Sequence, residues 1–257
     1  MSIIDSYDPE RRSTINLEDV YDKSEKTLSV CIINFSYKIM DALLEDGVIE
    51  EFAPDSVKSV ACLYPVYRIK GSDIGVVKTT VGAPITATLL EEIAYLFSCP
   101  KFVLFGSCGS LDASITEGRL IVPDAAYRDE GVSYHYLPPS DYLPLPGAAT
   151  VSQILHAIGI EHVVGKTWTT DAFYRETIRN REKRRAEGCI AVEMEVAACQ
   201  AVAAFRGLDF YCFLYRADNL DATTWERGFL SSIPIDQRLL HFSIAHEIAK
   251  RVSEVSL

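Results

Sequence analysis

Two carboxylates stand inside an almost wholly apolar stretch of the sequence. In CIAVEMEVAACQAV, residues 189–202, Glu193 and Glu195 are the only charged side chains. Burying an ionised carboxylate without a partner is very costly, so each acid needs a partner in the protein or a ligand. Two interpretations stay open from this segment alone: a ligand site, and acids that offset the dipole at the N-terminus of a helix.

Two further segments carry polar groups where predicted strands end. GSCGS (106–110) follows the apolar run KFVLF, and RADNLD (216–221) follows FYCFLY. Ligands of open α/β sheets bind beyond the carboxyl ends of strands, and glycines let backbone N–H groups approach them. These segments therefore predict a ligand site, with an ordinary glycine turn and an Asx turn as the alternatives.

Three other patterns fail the requirements of familiar sites. GIEHVVGKT (159–167) has five residues between its glycines, and a phosphate-binding loop needs four. Cys108 rather than a serine stands at the centre of GSCGS, and no histidine can be assigned to it as a base. His241 and His246 are five residues apart on a predicted helix, so they do not share a face. No metal site is predicted.

The elements that position these residues alternate along the chain. Strands are predicted at 27–33, 61–69, 74–81, 101–106, 119–127, 162–170, 189–192 and 210–216, and helices at 36–47, 83–97, 173–188, 195–205 and 235–252. This alternation favours an α/β layered fold with a largely parallel or mixed sheet. The loop-rich zones, 136–149 and 218–234, do not look like linkers, so residues 1–257 are predicted to form a single domain.

Composition excludes several classes of protein. The chain has 257 residues, 48% of them hydrophobic, which fits one large domain with a sizeable core. Its formal net charge of −11 repels phosphate backbones, so no nucleic-acid partner is expected. The seven cysteines form no C-x-x-C pair, and no window approaches the roughly 20 apolar residues of a membrane span. We expect a soluble cytoplasmic protein without a membrane partner.

Four segments together resemble the nucleoside phosphorylase family, which includes purine nucleoside phosphorylase, uridine phosphorylase and related nucleosidases. They are VGAPITATLLEEI (81–93), GSCGSLD (106–112), VEMEVAA (192–198) and RADNLD (216–221). The resemblance implies a three-layer α/β/α fold with a central mixed β-sheet. It also implies a glycosyltransferase that cleaves the N-glycosidic bond of a nucleoside with inorganic phosphate, giving free base and ribose 1-phosphate, and that needs no cofactor.

The resemblance assigns roles to individual residues. Glu195 corresponds to the glutamate that holds the ribose 2′- and 3′-hydroxyls, Met194 packs on the sugar, and Ser107 binds ribose and phosphate. Asp218 lies 23 positions after Glu195, as does the aspartate that protonates the leaving purine near N7. It must be protonated to donate, which burial favours. The residues expected along the base are Phe173, Val192, Glu193, Cys108, Gly109 and Arg179.

The residues expected along the base match both the purine and the uridine branches, and the purine branch better. Phe173 in DAFY matches the aromatic that stacks on the base, with core packing as the alternative. Arg179 lies six residues further on, as does the uracil-reading arginine of the uridine branch. Thr177 replaces the glutamine that accompanies that arginine, and uridine-specific members usually carry an apolar residue at the position of Asp218.

The phosphate site departs from the family pattern. The G-D-P-x-R loop after the first strand is replaced by Asn34–Lys38, and Leu104 stands where a second arginine is usual. Ser107 and Lys38 remain as candidate phosphate ligands, with Lys58 contributed by a neighbouring subunit. The alternatives are a uridine phosphorylase, a nucleosidase that uses water, and a nucleoside-binding protein without a phosphate site. A homo-oligomer (dimer, trimer or hexamer) is expected, with Lys58 or His135 as the shared contact.

Overall fold

The computed structural model describes residues 2–59, 62–221, 228 and 233–254. Its strands are β1 (Val30–Asn34), β2 (Ile49–Lys58), β3 (Leu63–Ile69), β4 (Ile74–Lys78), β5 (Lys101–Ser110), β6 (Leu120–Asp129), β7 (Tyr142–Pro144), β8 (His162–Thr170), β9 (Cys189–Glu193) and β10 (Asp209–Asn219). Its α-helices are α1 (Leu17–Val20), α2 (Tyr37–Glu45), α3 (Ala83–Leu96), α4 (Ala113–Thr116), α5 (Ser133–Tyr136), α6 (Gly147–Ala157), α7 (Ile178–Ala186), α8 (Val196–Arg206) and α9 (Ile235–Glu254). Short 3₁₀ turns cover Ile3–Asp5 and Phe173–Arg175.

All ten strands belong to one mixed sheet. Their order is β10-β6-β8-β9-β5-β1-β4-β3-β2, and β7 pairs with β6. β10 also pairs in parallel with β5, so the strands β5, β10, β6, β8 and β9 close into a ring. β1 is parallel to both β4 and β5, whereas β9 is antiparallel to β5. The ring brings β5, β9 and β10 together at one place.

Helices cover both faces of this sheet. In β1, Val30 and Ile32 pack with α2, α6 and α9, whereas Cys31 and Ile33 pack with α3 and α8. A strand that is buried on both faces needs a continuous apolar run, and β1 has one. The result is a three-layer α/β/α arrangement with a central mixed sheet, so the predicted fold class is confirmed. Among the described helices, none is both long enough and apolar enough to cross a membrane.

Helix α8 follows from its composition. Its sequence VAACQAVAAFR is rich in alanine, the strongest helix former, and its first eight residues are buried. It ends at Gly207, whose φ of 72° is the left-handed conformation in which glycine carries no steric penalty. Helix α3 begins with Pro84 in its first turn, where a missing N–H costs nothing.

Several elements escaped the sequence analysis, and the longest of them are β2 and α6. β2 was not predicted because IEEFAPDSVK contains acids and a proline rather than an apolar run. It lies at the end of the strand order, and an edge strand tolerates such residues. Helix α6 begins at Gly147, inside the proline-rich zone 136–149 that was expected to be loop.

Three predicted boundaries also moved. The helix predicted at 173–188 is divided into the 3₁₀ turn Phe173–Arg175 and helix α7. GSCGS was expected to follow its strand, but β5 runs through Ser110, and β10 likewise runs through Asn219. These two strands pair with each other to their ends, so their backbone hydrogen bonds continue through the polar segments. Residue 61 and most of the zone 218–234 lie outside the described residues.

Candidate active site

A cavity of about 380 Å³ lies along the carboxyl-terminal halves of β5, β9 and β10. It contains nine of the residues that the sequence analysis placed in the site: Ser107, Cys108, Gly109, Phe173, Val192, Glu193, Met194, Glu195 and Asp218. They come from segments that are far apart along the chain and that the ring of strands brings together. The described residues contain no cluster of three or more His, Cys, Asp or Glu placed to hold a metal ion.

Gly109 has no Cβ atom, and this lets the Asp218 side chain lie close to the backbone of β5. Gly109 is aligned with Val192 of β9 on one side and with Asp218 of β10 on the other. A Cβ atom at this position would collide with Leu220 Cδ1 and lie 3.2 Å from Asp218 Oδ1. A glycine in a strand often marks such a close approach. The carboxylate of Asp218, which is only 6% exposed, therefore lies over the backbone of Gly109.

Glu193 is held entirely by the protein. One carboxylate oxygen accepts hydrogen bonds from Thr169 Oγ1 (2.5 Å) and Thr167 Oγ1 (3.2 Å). The other accepts from the backbone N–H groups of Glu195 and Val196, both at 2.7 Å. These N–H groups belong to the start of α8 and have no partner within the helix. Glu193 lines the cavity, but its oxygens are engaged in ordering the start of the helix, as the helix-terminus interpretation expected.

Glu195 can still accept hydrogen bonds from a ligand in the cavity. Oε1 accepts a hydrogen bond of 2.7 Å from the N–H of Gly82, and Oε2 accepts one of 3.3 Å from the N–H of Met194. The residue is 7% exposed, and burial together with the charge of Glu193 raises its pKa to about 8. Each carboxylate oxygen has further lone pairs, so Glu195 is placed to accept hydrogen bonds from hydroxyl groups of a ligand.

Phe173 presents its ring to the cavity from the 3₁₀ turn that precedes α7. It is 43% exposed and packs edge-on against Tyr174, with ring centroids 4.9 Å apart. That exposure is incompatible with a core-packing role. An exposed ring at the wall of a cavity is a platform on which an aromatic base can stack.

Glu176 is a site residue that the sequence analysis missed. It lines the cavity from the segment between the 3₁₀ turn and α7, three residues after Phe173. Burial and the nearby charge of Asp218 raise its pKa to about 7. The sequence analysis assigned 173–188 to a charged, solvated helix. The three-residue spacing from Phe173, which places two side chains on one face of a helical turn, was the available signal.

The opposite end of the cavity is apolar apart from Ser107. Phe35 and Leu104 form its wall, and the Phe35 ring packs so closely on Gly106 that a Cβ there would lie 3.0 Å from it. Ser107 is exposed to the cavity. Among the described residues that line the cavity, none is a lysine or an arginine.

Three predicted cationic residues lie away from this cavity. Lys38 is exposed on α2, Arg179 is exposed on α7, and Lys58 is exposed at the end of β2. Lys58 instead borders a second cavity, which the N-terminal segment forms with α3. Within one subunit, the structure brings none of the three to the nine residues gathered at the main cavity. The exposed His135 on α5 is also separate from it.

A model of the phosphorylase superfamily matches residues 31–233, which is most of the chain. The chain belongs to the phosphorylase superfamily. The resemblance to the nucleoside phosphorylases and nucleosidases that the sequence motifs indicated is thereby confirmed.

Curated relatives of this phosphorylase superfamily member include nucleoside phosphorylases. A purine nucleoside phosphorylase, DeoD-type, from Caldanaerobacter subterraneus subsp. tengcongensis is 27% identical over 59% of this chain and 66% of its own. A guanosine phosphorylase from Halorubrum lacusprofundi is 29% identical over 54% of this chain and 58% of its own. The chain thus spans somewhat less than two thirds of the length of these relatives.

A solved structure of the same fold is an AMP nucleosidase from Bacteroides thetaiotaomicron VPI-5482. It superposes with a TM-score of 0.68 over 89% of this chain and 90% of its own, at 16% sequence identity. The two proteins therefore share a fold.

Proposed function

We propose that the protein is an enzyme that cleaves the N-glycosidic bond of purine ribonucleosides, with inorganic phosphate as the acceptor. The products are the free base and ribose 1-phosphate. The observation that carries this proposal is the meeting of Phe173, Glu195 and Asp218 in one cavity, although 45 residues separate the first from the last. They supply a stacking surface for the base, an acceptor for the ribose hydroxyls and an acid for the leaving group.

The proposed chemistry follows the charges that develop as the bond breaks. Positive charge builds on the ribose ring, and negative charge builds on the leaving base. A proton from Asp218 neutralises the base, and general acid catalysis of this kind typically contributes about 10²–10⁴ in rate. Glu195 holds the ribose hydroxyls, with Met194 beneath the sugar. Pre-arranged groups of this kind in a water-poor cavity stabilise the transition state. No cofactor is needed beyond the phosphate co-substrate.

Asp218 can act as a general acid on a purine more readily than on a pyrimidine. A purine offers N7 as the site of protonation, whereas uracil has no equivalent atom. Asp218 lies at the base end of the cavity, beside Gly109 and Val192. Arg179, the residue that suggested a uracil reader, lies outside the cavity in this structure. Uridine is therefore the weaker candidate substrate.

Hydrolysis is the second candidate reaction, because the acceptor end of the cavity is apolar. Phe35 and Leu104 occupy the wall where family phosphorylases usually present cations, and of the described residues that line the cavity, Ser107 alone offers a hydroxyl. Phosphate binding then requires a cation from another subunit, for which Lys58 is the candidate. The curated relatives are phosphorylases, which favours phosphate as the acceptor. The apolar wall favours water as the acceptor instead.

A nucleoside panel assayed with and without phosphate tests the proposal. Adenosine, inosine and uridine are incubated with the purified protein, and free base, ribose and ribose 1-phosphate are quantified. Purine release that depends on phosphate and yields ribose 1-phosphate is the expected result. Ribose as the product without phosphate would establish the hydrolytic candidate. Release of uracil alone, or of no base at all, would contradict the proposed function.

A further inference from the structure

Two carboxyl side chains from different elements line the cavity and are close enough for the charge of one to act on the other. Asp218 comes from β10, and Glu176 comes from the segment that joins the 3₁₀ turn to α7. Phe173, the stacking platform for the base, lies on that same turn, and the Glu176 N–H donates to its carbonyl oxygen. The backbone of Glu176 is therefore linked to the turn that carries the ring on which a base would lie.

The carboxylate of Glu176 has no partner within the described part of the chain. No hydrogen bond or ion pair to its oxygens is formed there, and it is partly buried. Among the described residues, the charged group that acts on it is Asp218, which is also an acid, and burial together with this charge raises the pKa of Glu176 to about 7. Two neighbouring carboxyl groups resist joint ionisation and tend to share one proton. A ligand that supplies a hydrogen-bond donor would satisfy the ionised member of the pair.

We propose that Glu176 is a specificity-determining residue that accepts a hydrogen bond from the 6-amino group of a purine while Asp218 donates to N7. This inference rests on the proposed function, because it takes Asp218 as the group that faces N7. It makes adenosine and other 6-aminopurine nucleosides the favoured substrates over inosine and guanosine.

The pattern of donors and acceptors on the purine edge supports this choice. Adenine presents N7 as an acceptor and its 6-amino group as a donor on the same edge, whereas guanine presents N7 and O6, both acceptors. A pair of carboxyl groups that holds one proton offers one donor and one acceptor, which matches adenine. With a 6-oxopurine, the ionised carboxylate would face O6, and two acceptors would be left without a proton between them. Sites that leave polar groups unpaired in this way reject the wrong ligand strongly.

The Glu176→Gln variant tests the proposal because an amide both donates and accepts. Its NH₂ group can donate to O6, and its carbonyl oxygen can still accept from the 6-amino group. The wild-type protein is expected to prefer adenosine over inosine in kcat/KM by about 10-fold or more. In Glu176→Gln that ratio falls by about 10-fold, mainly through a gain on inosine. In Glu176→Leu activity on adenosine falls without a gain on inosine. Glu45→Gln, an exposed position at the end of α2, is the control and leaves the ratio unchanged.

Binding of the free bases separates failure of this inference from failure of the proposed function. Titration calorimetry with adenine and hypoxanthine measures base preference without turnover, and the same shift in ratio is expected in Glu176→Gln. If purine nucleosides are cleaved but neither ratio moves in Glu176→Gln, the role of Glu176 is overturned and the proposed function stands. A wild-type preference for inosine over adenosine also overturns the inference. If no nucleoside is cleaved, the proposed function fails, and the inference that depends on it falls with it.

Discussion

Glu193 and Glu195 differ in what their oxygens can still accept. Both are buried, and they are only two residues apart in the sequence. Glu193 receives four hydrogen bonds from side chains and backbone of its own protein. Glu195 receives two, both from backbone N–H groups, and borders the cavity. The two interpretations that the sequence left open are therefore divided between the two acids: Glu193 orders a helix start, and Glu195 is available to a ligand.

Removing the Glu195 carboxylate tests its proposed contact with the sugar. Ribose hydroxyls that donate to Glu195 favour its ionised form. Glu195→Ala is therefore expected to weaken ribonucleoside binding in the transition state by about 1.5–3 kcal/mol, the range for hydrogen bonds to a charged group. The loss of kcat/KM is expected to be larger for adenosine than for 2′-deoxyadenosine, because the latter lacks one of the two hydroxyls. Equal losses for the two substrates would exclude a 2′-hydroxyl contact.

The raised pKa of Glu195 predicts a pH-dependent stability. A glutamate normally ionises near pH 4.5, whereas burial and the charge of Glu193 raise the pKa of Glu195 to about 8. Between these values the folded state holds a proton that the unfolded chain has released, so this group makes the protein less stable as the pH rises from about 4.5 to 8. Glu195→Gln does not titrate. The Tm of the variant minus that of the wild type is therefore expected to increase between pH 5 and 8.5 in thermal unfolding of the ligand-free proteins.

A Tm difference that stays constant over this pH range would contradict the account of Glu195 as a buried acid that resists ionisation. Glu45→Gln is the matched control, because Glu45 is exposed on α2. Its Tm difference from the wild type is expected to remain near zero throughout.

At the scale of elements, the site depends on the close packing of β5 against β9 and β10. Gly109→Ala places a methyl group against Leu220, Val192 and Asp218. Because displacing a reacting group by about 1 Å can cost 10²-fold in rate, kcat/KM is expected to fall by about 10-fold or more. Gly131→Ala is the control, since a Cβ there meets only Asp171 Oδ2 at 3.9 Å. Steady-state kinetics with adenosine distinguish the two; equal activity in both variants would show that Gly109 does not position the acid.

The sequence predicted an element best where that element is a continuous apolar run. Buried strands such as β1 and β5 and the alanine-rich helix α8 are continuous apolar runs, and all three were found. β2 was missed because an edge strand needs little apolar sequence, and α6 was missed because prolines precede it. The division of 173–188 into a turn and a helix was missed because charged residues run through both parts.

The site was predicted from motifs rather than from periodicity, so the prediction is good only for residues that belong to a motif. Nine residues of the motifs gather at the cavity because each motif lies on a strand, on a helix start or beside the stacking ring. Arg179 was placed by its spacing from Phe173, Lys38 by its match to the family's phosphate loop, and Lys58 as a contribution from a neighbouring subunit. In one subunit these three residues do not line the cavity. Glu176 belongs to none of the motifs. Its proximity to Asp218 arises because the fold brings β10 and the segment after Phe173 to one cavity.

At the scale of the whole molecule, the proposed use of phosphate requires a cation that a second subunit would supply. The described residues that line the cavity supply no cation for phosphate, and Lys58 lies on the surface. We predict a homo-oligomer in which Lys58 or His135 of one subunit approaches the cavity of another. Light scattering at the concentration used for assays is expected to show a dimer, trimer or hexamer. A monomer with full activity would reject this assembly.

The central claim is that Asp218 protonates a purine as it leaves the ribose, and Asp218→Asn tests it most directly. The amide keeps the shape and a hydrogen-bond donor but cannot transfer a proton, so kcat and kcat/KM are expected to fall together. The fall should be on the order of 10²-fold or more for adenosine or inosine. It should be much smaller for 7-methylguanosine, whose base already carries a positive charge. If both kinds of substrate lose activity alike, or neither does, Asp218 is not the acid and the proposed mechanism is wrong.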